Sequence, residues 1–141
     1  MTLVLDASMA VAWIRAREKP AEAACADRVL NALAQATALV VCLWYTEVAN
    51  ALLVGERRNI ITKAQAIDFL AKLGRLPIEI DDAIPSARQD QVMAFAMEYG
   101  LTAYDATYFE LALRKDAVLA TFDAAMGGAM RRAGGALFGK P

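Results

Sequence analysis

Apolar positions along the chain fall into short unbroken runs separated by longer stretches with helical spacing. Thr2–Leu5 is a brief apolar run closed by Asp6, after which Ala7–Trp13 takes up helical periodicity. Beyond the charged turn Arg15–Pro20, the stretch Ala21–Ala36 sets Ala24, Val29, Leu30 and Leu33 near one helical face. Ala38–Val41 predicts a second buried strand, within the longest apolar run, Ala38–Tyr45. Helical spacing returns over Thr46–Arg58 with Val48, Leu52 and Leu53, which puts Glu47 in a first turn and Gly55 near the end. Thr62 is a natural N-cap for a helix to about Leu73, with Ile67, Phe69, Leu70 and Leu73 as core candidates. Pro77–Asp81 predicts a third strand, and Ser86–Tyr99 a helix stopped by Gly100. A further helix opens near Asp105 and runs to Lys115, Ala117–Thr121 predicts a fourth strand delivering Asp123, and Ala124–Arg132 a last helix before a weak strand near Ala136–Phe138.

Short buried strands alternating with helices indicate an α/β fold, a three-layer α/β/α sandwich around a parallel sheet, because parallel strands need crossovers of a dozen or more residues. The 141 residues suffice for one hydrophobic core and not two, so residues 1–141 are expected to form one domain.

Composition narrows the chemistry. The chain has no histidine, which removes Ser-His-Asp and Cys-His catalysis and every histidine-based metal site. Cys25 and Cys42 stand far apart without CxxC spacing and read as core residues. A net charge of -1 indicates neither a polybasic tail nor disorder, whereas an apolar fraction of 58% is high for so small a domain and points to a homo-oligomer or a protein partner. No apolar run reaches the ~18 residues of a membrane span, and the N-terminus lacks a basic region, so a cytoplasmic protein without membrane contact is expected.

In open parallel α/β sheets the ligand crevice lies at the carboxyl ends of the strands. Asp6 closes the first strand, Asp123 follows the fourth, Glu47 starts the helix after the second, and Asp105 starts a helix whose N-terminus faces the same edge. Each acid alone has an ordinary reading as a cap or first-turn residue. Together they repel: two carboxylates ~5 Å apart cost roughly 3 kcal/mol at an effective dielectric of ~20. Helix N-termini offset only ~0.3–1 kcal/mol each, so a cation is called for, and oxygen-only ligands favour Mg²⁺ or Mn²⁺ over zinc.

The motifs Val4-Leu5-Asp6-Ala7-Ser8, Tyr45-Thr46-Glu47-Val48-Ala49-Asn50-Ala51-Leu52, Leu101-Thr102-Ala103-Tyr104-Asp105-Ala106 and Leu119-Ala120-Thr121-Phe122-Asp123 cover nearly the whole chain in order. This set resembles the PIN-domain nucleases, in particular the VapC-type toxins of toxin-antitoxin pairs. The resemblance implies strand order 3-2-1-4-5 and a Mg²⁺- or Mn²⁺-dependent endoribonuclease. Asp6, Glu47 and Asp105 would be its central metal ligands, with Asp123 completing the site directly or through water. It further implies an RNA substrate, a cognate VapB-like antitoxin, and a homodimer that assembles further with that antitoxin. Ser8 and Thr121 look like hydroxyls that orient Asp6 and Asp123, or else local turn and capping groups. Asn50, three residues after Glu47, either supports it or faces solvent. Where many relatives carry a proline, this chain has Leu43-Trp44-Tyr45-Thr46.

Two alternatives stay open: an RNA-processing nuclease of this family without an antitoxin, and a non-catalytic binding module of the same fold. A haloacid-dehalogenase-type phosphotransferase would need a second acid where Ser8 stands, and a receiver domain an acid pair after the first strand. Basic residues form local patches at Arg15, Arg17 and Lys19, at Arg57 and Arg58, and at Arg131 and Arg132, and none forms a continuous stripe.

Overall fold

The computed structural model describes residues 1–139. Four strands form a parallel sheet in the order β3-β2-β1-β4, with β1 at Thr2–Leu5, β2 at Thr37–Val40, β3 at Ile78–Ile80 and β4 at Val118–Ala120. Leu3, Val4 and Leu5 of the central β1 are fully buried. Burial of aliphatic side chains at roughly 1.5–3 kcal/mol apiece fixes this strand in the middle of the sheet. β1 aligns Leu5 with Ala120 of β4 on one side and Val4 with Leu39 of β2 on the other. The chain therefore leaves β1 in one direction and returns beside it from the other, which makes the β1–β4 junction the switch point where such sheets open a crevice.

The crossovers are helical: α1 (Ala7–Val11) and α2 (Pro20–Ala32), α3 (Leu43–Arg57) and α4 (Lys63–Leu73), then α5 (Pro85–Tyr99) and α6 (Ala103–Arg114), with α7 (Ala124–Arg132) after β4. α1 packs on α3 and α3 on α4, whereas α6 packs on α5 and α7, so helices cover both faces of the sheet. No helix among the described residues is long and apolar enough to cross a membrane.

The fifth strand expected at Ala136–Phe138 is reduced to one parallel bridge between Leu119 and Leu137, beside β4. Gly134 and Gly139, at φ +74° and +75°, turn the chain on either side of it and stop the extended run. α3 starts at Leu43 rather than Thr46, because Trp44 is fully buried and belongs to the helix instead of prolonging β2. At 3.6 residues per turn this moves Glu47 into the second turn. Of the apolar candidates on α4, Phe69 and Leu73 are buried but Ile67 and Leu70 are exposed, and Ala24 on α2 is exposed as well. Thr62 forms the expected cap, closed reciprocally by Gln65.

Candidate active site

Each acid reaches the carboxyl edge by its own local device. Asp6 ends β1 and caps α1: one oxygen accepts from the Ser8 hydroxyl at 2.7 Å and the Met9 N–H at 3.0 Å. The Thr121 hydroxyl donates to its other oxygen. Asp123 caps α7, accepting from the Met126 N–H at 2.7 Å. Asp105 lies in the first turn of α6, which Thr102 caps by accepting the Asp105 N–H at 3.1 Å. Glu47 projects from α3, and its Oε1 accepts a 2.8 Å hydrogen bond from the Tyr108 hydroxyl of α6.

Ser8 and Thr121 also tie the two sides of the switch point together. Ser8 Oγ accepts from the Phe122 N–H at 3.2 Å, and Thr121 Oγ1 accepts from the Asp123 N–H at 2.9 Å. Each hydroxyl thus receives an N–H from the β4 exit and passes its own proton toward the carboxylate at the β1 exit. The Asp6 carboxylate is held rigidly as a result, though it is only 5% exposed.

The charges feel one another. Burial pushes the Asp6 carboxyl up to about 6, opposed by its hydrogen bonds from Thr121, Ser8 and Met9 and reinforced by the charge of Asp123. Burial also raises Asp105, with further upward pressure from Asp123 and Glu47 and a counteracting bond with Thr102. Tyr108 is raised by its burial, then by its hydrogen bond to Glu47 and the charges of Glu47, Asp6 and Asp105, so it stays a phenol and a donor. All four acids therefore lie within electrostatic reach of a common region. Among the described residues no three acids or cysteines are grouped closely enough to hold a metal ion, and Glu47 is drawn onto Tyr108.

Asn50 is exposed and its side chain has no hydrogen bond among the described residues. Leu43–Tyr45 forms the first turn of α3, with Trp44 buried edge-on against a half-exposed Tyr45 at 4.9 Å. Tyr108 escapes a reading of the sequence because it fits the apolar face of α6 equally well. Its three-residue spacing from Asp105, which sets both on one side of the helix, was the available signal.

A family model described as PIN domain matches residues 3–129. The chain belongs to the PIN-domain family. Among solved structures this PIN-family chain is similar to PAE2754 from Pyrobaculum aerophilum, with 24% identity, a TM-score of 0.72, and coverage of 97% of this chain and 88% of that one. It is also similar to VapBC2 from Rickettsia felis bound to a DNA fragment from their promoter, with 14% identity, a TM-score of 0.64, and coverage of 97% and 96%. Both likenesses concern the fold. No curated protein matches.

Proposed function

We propose that this PIN-family chain is a Mg²⁺- or Mn²⁺-dependent endoribonuclease, the toxin of a VapBC-type pair, whose site is Asp6, Glu47, Asp105 and Asp123. The observation that carries this reading is Asp6: a nearly buried carboxylate, fixed by three donors, at a switch point shared with three other acids. A buried acid whose proton affinity is raised by its surroundings is one that a cation would relieve. The donors are oxygens only, which fits a hard divalent ion. Asp6, Glu47 and Asp105 would hold it, with Asp123 alongside. When bound, such an ion supplies Lewis acidity to an attacking water and to the phosphoryl oxygens of the RNA.

The chain's own residues prepare that chemistry. Ser8 and Thr121 keep both Asp6 oxygens in one orientation, and Tyr108 holds the flexible Glu47 near the edge. Asp123 accepts the Met126 N–H at the start of α7, and Asp105 stands in the first turn of α6. An antitoxin segment that presents an arginine to these carboxylates would occupy the same edge, and the likeness in fold to VapBC2 supports such a partner. The apolar surface left exposed at Ile67, Ile84 and Met97 is in keeping with a homodimer and its assembly with the antitoxin.

Purified protein is expected to cleave cellular RNA with Mg²⁺ or Mn²⁺, to stop with chelator, and to resume when the cation is restored. Absence of cation-dependent cleavage across total RNA would overturn the nuclease reading in favour of a non-catalytic module. Tyr108→Phe is expected to remain folded and to raise the Mn²⁺ concentration for half-maximal cleavage about tenfold, the size usual for partners of metal ligands. An unchanged Mn²⁺ titration would show that the tyrosine only packs.

A further inference from the structure

A cavity of about 580 Å³ opens between α5, α6 and the start of α3, and none of the four acids lines it. Its walls are mainly apolar: Val41 and Leu43 from the β2–α3 junction, Pro85, Val92 and Met93 from α5, and Leu111 from α6. Volume and lining both fall within the range of small-molecule sites, roughly 300–1,000 Å³. Met93 is 47% exposed, so the mouth is open to solvent on the α5 side.

Charged groups close the inner end of this cavity. Glu110 is almost completely buried, and one of its oxygens accepts from Arg88 Nε at 2.7 Å and Arg114 Nε at 2.8 Å, with Arg88 Nη2 also at 2.7 Å. Its other oxygen accepts from Arg114 Nη2 at 3.3 Å. Both Asp81 oxygens are taken by the terminal nitrogens of Arg114, at 3.3 and 2.6 Å. Every carboxylate oxygen lining the cavity is therefore engaged by a guanidinium. The donors are not exhausted: a guanidinium has five N–H groups, and Arg88 spends two on Glu110, which leaves three without a partner among the described residues. Ser86 and Gln89 flank Arg88 on the same wall.

We infer that this cavity is a binding site for a small amphipathic carboxylate, an unbranched aliphatic acid. Its carboxylate takes the unused donors of Arg88, and its chain lies along Val41, Leu43, Val92 and Leu111. The sign of the head group follows from the hydrogen-bond inventory: occupied carboxylates and spare guanidinium donors accept an anion, whereas a cation would have to displace an arginine from Glu110 or Asp81. Glu110 is the positioning residue, since it fixes the Arg88 fork from the buried side. The unbranched, adaptable side chain of Met93 suits a flexible aliphatic chain at the mouth. This site stands apart from the carboxyl-edge acids and does not depend on the nuclease reading.

The test uses the full chain labelled with ¹³C at its methionine methyls, titrated with sodium octanoate and followed by methyl NMR. Met93 is the reporter, the exposed Met97 outside the cavity controls for adsorption to the surface, and the buried Met126 and Met130 report the fold. A saturable shift of Met93 is expected with a Kd of about 1 mM or tighter, ordinary for a ligand of this few atoms. Octylammonium, with the same chain and the opposite charge, should bind at least about tenfold more weakly. R88Q should weaken octanoate by at least about tenfold with the Met126 and Met130 signals in place, and R57Q should leave it unchanged. A Met93 signal unmoved at concentrations well above that Kd overturns the site, as do equal shifts at Met97, equal binding of octylammonium, or an unaffected R88Q. The octylammonium comparison uses the unmodified chain, so it decides the matter even where R88Q fails to fold. A Met93 signal that moves on dilution of the protein but not with octanoate assigns this face to a second copy and equally overturns the site.

Discussion

Asp6→Asn is expected to stabilise the cation-free protein at neutral pH while abolishing its response to Mg²⁺ or Mn²⁺. The sign follows from the carboxyl being raised in the folded chain, to about 6 from 3.8. A group raised on folding contributes its stability below the unfolded value and loses it as pH rises through the folded one. Folding therefore carries a penalty of roughly 3 kcal/mol from this side chain above pH 6, absent near pH 4. Asparagine keeps an acceptor for Ser8 and Met9 without the charge, and Thr121 must turn its hydroxyl to accept from the amide. Allowing for that exchange, a net gain of roughly 1–2 kcal/mol is expected, a rise of several degrees in Tm. The gain should disappear near pH 4. Cation affinity should fall at least about a hundredfold, since even the outer partners of metal ligands are worth 10- to 100-fold. Thermal melts across pH with and without Mn²⁺ measure both effects. A destabilised Asp6→Asn at neutral pH, or one that still melts higher with Mn²⁺, would refute the role given to this carboxylate.

Arg114→Met is expected to cost about 3 kcal/mol, visible as a lowered urea midpoint and a fall of roughly 10 °C in Tm. Arg114 links Asp81, just past β3, to Glu110 of its own helix α6. Its two terminal nitrogens meet the Asp81 carboxylate at 3.3 and 2.6 Å, and its Nε reaches Glu110 at 2.8 Å. Glu110 is only 3% exposed, and Arg88 from α5 reaches the same Glu110 oxygen at 2.7 Å. Removing the central guanidinium leaves a buried carboxylate with one partner and Asp81 with only a distant Lys115 at 4.0 Å. The loss comes from stranded charge rather than from the worth of an exposed pair. Glu110→Leu combined with Arg114→Met should therefore cost less than the sum of the two single changes, by more than about 1 kcal/mol. Additive losses would show that the network is not coupled.

The carboxyl edge was legible before any coordinates because its acids are tied to local rules. Asp6 and Asp123 directly follow apolar runs, and Asp105 is three residues past a threonine cap. Strand and helix periodicities are short-range, so β1 to β4 and all the larger helices could be located within a few residues. Boundaries shifted where burial overrode pattern, as when Trp44 drew the start of α3 back to Leu43. Glycines dissolved the fifth strand into a single bridge.

What the sequence determined by itself was the alternation of strand and helix and the placement of Asp6, Asp105 and Asp123 at strand exits and helix starts, since both depend on residues a few positions apart. Only the tertiary structure decided which side chains meet across 61 residues at Tyr108 and Glu47, or across 115 at Thr121 and Asp6. The same holds for the gathering of Arg114, Glu110, Arg88 and Asp81, and for which arginines border the acids. Those contacts depend on register and on the direction of each crossover, which are set by packing of the whole sheet and leave no local trace in residue order.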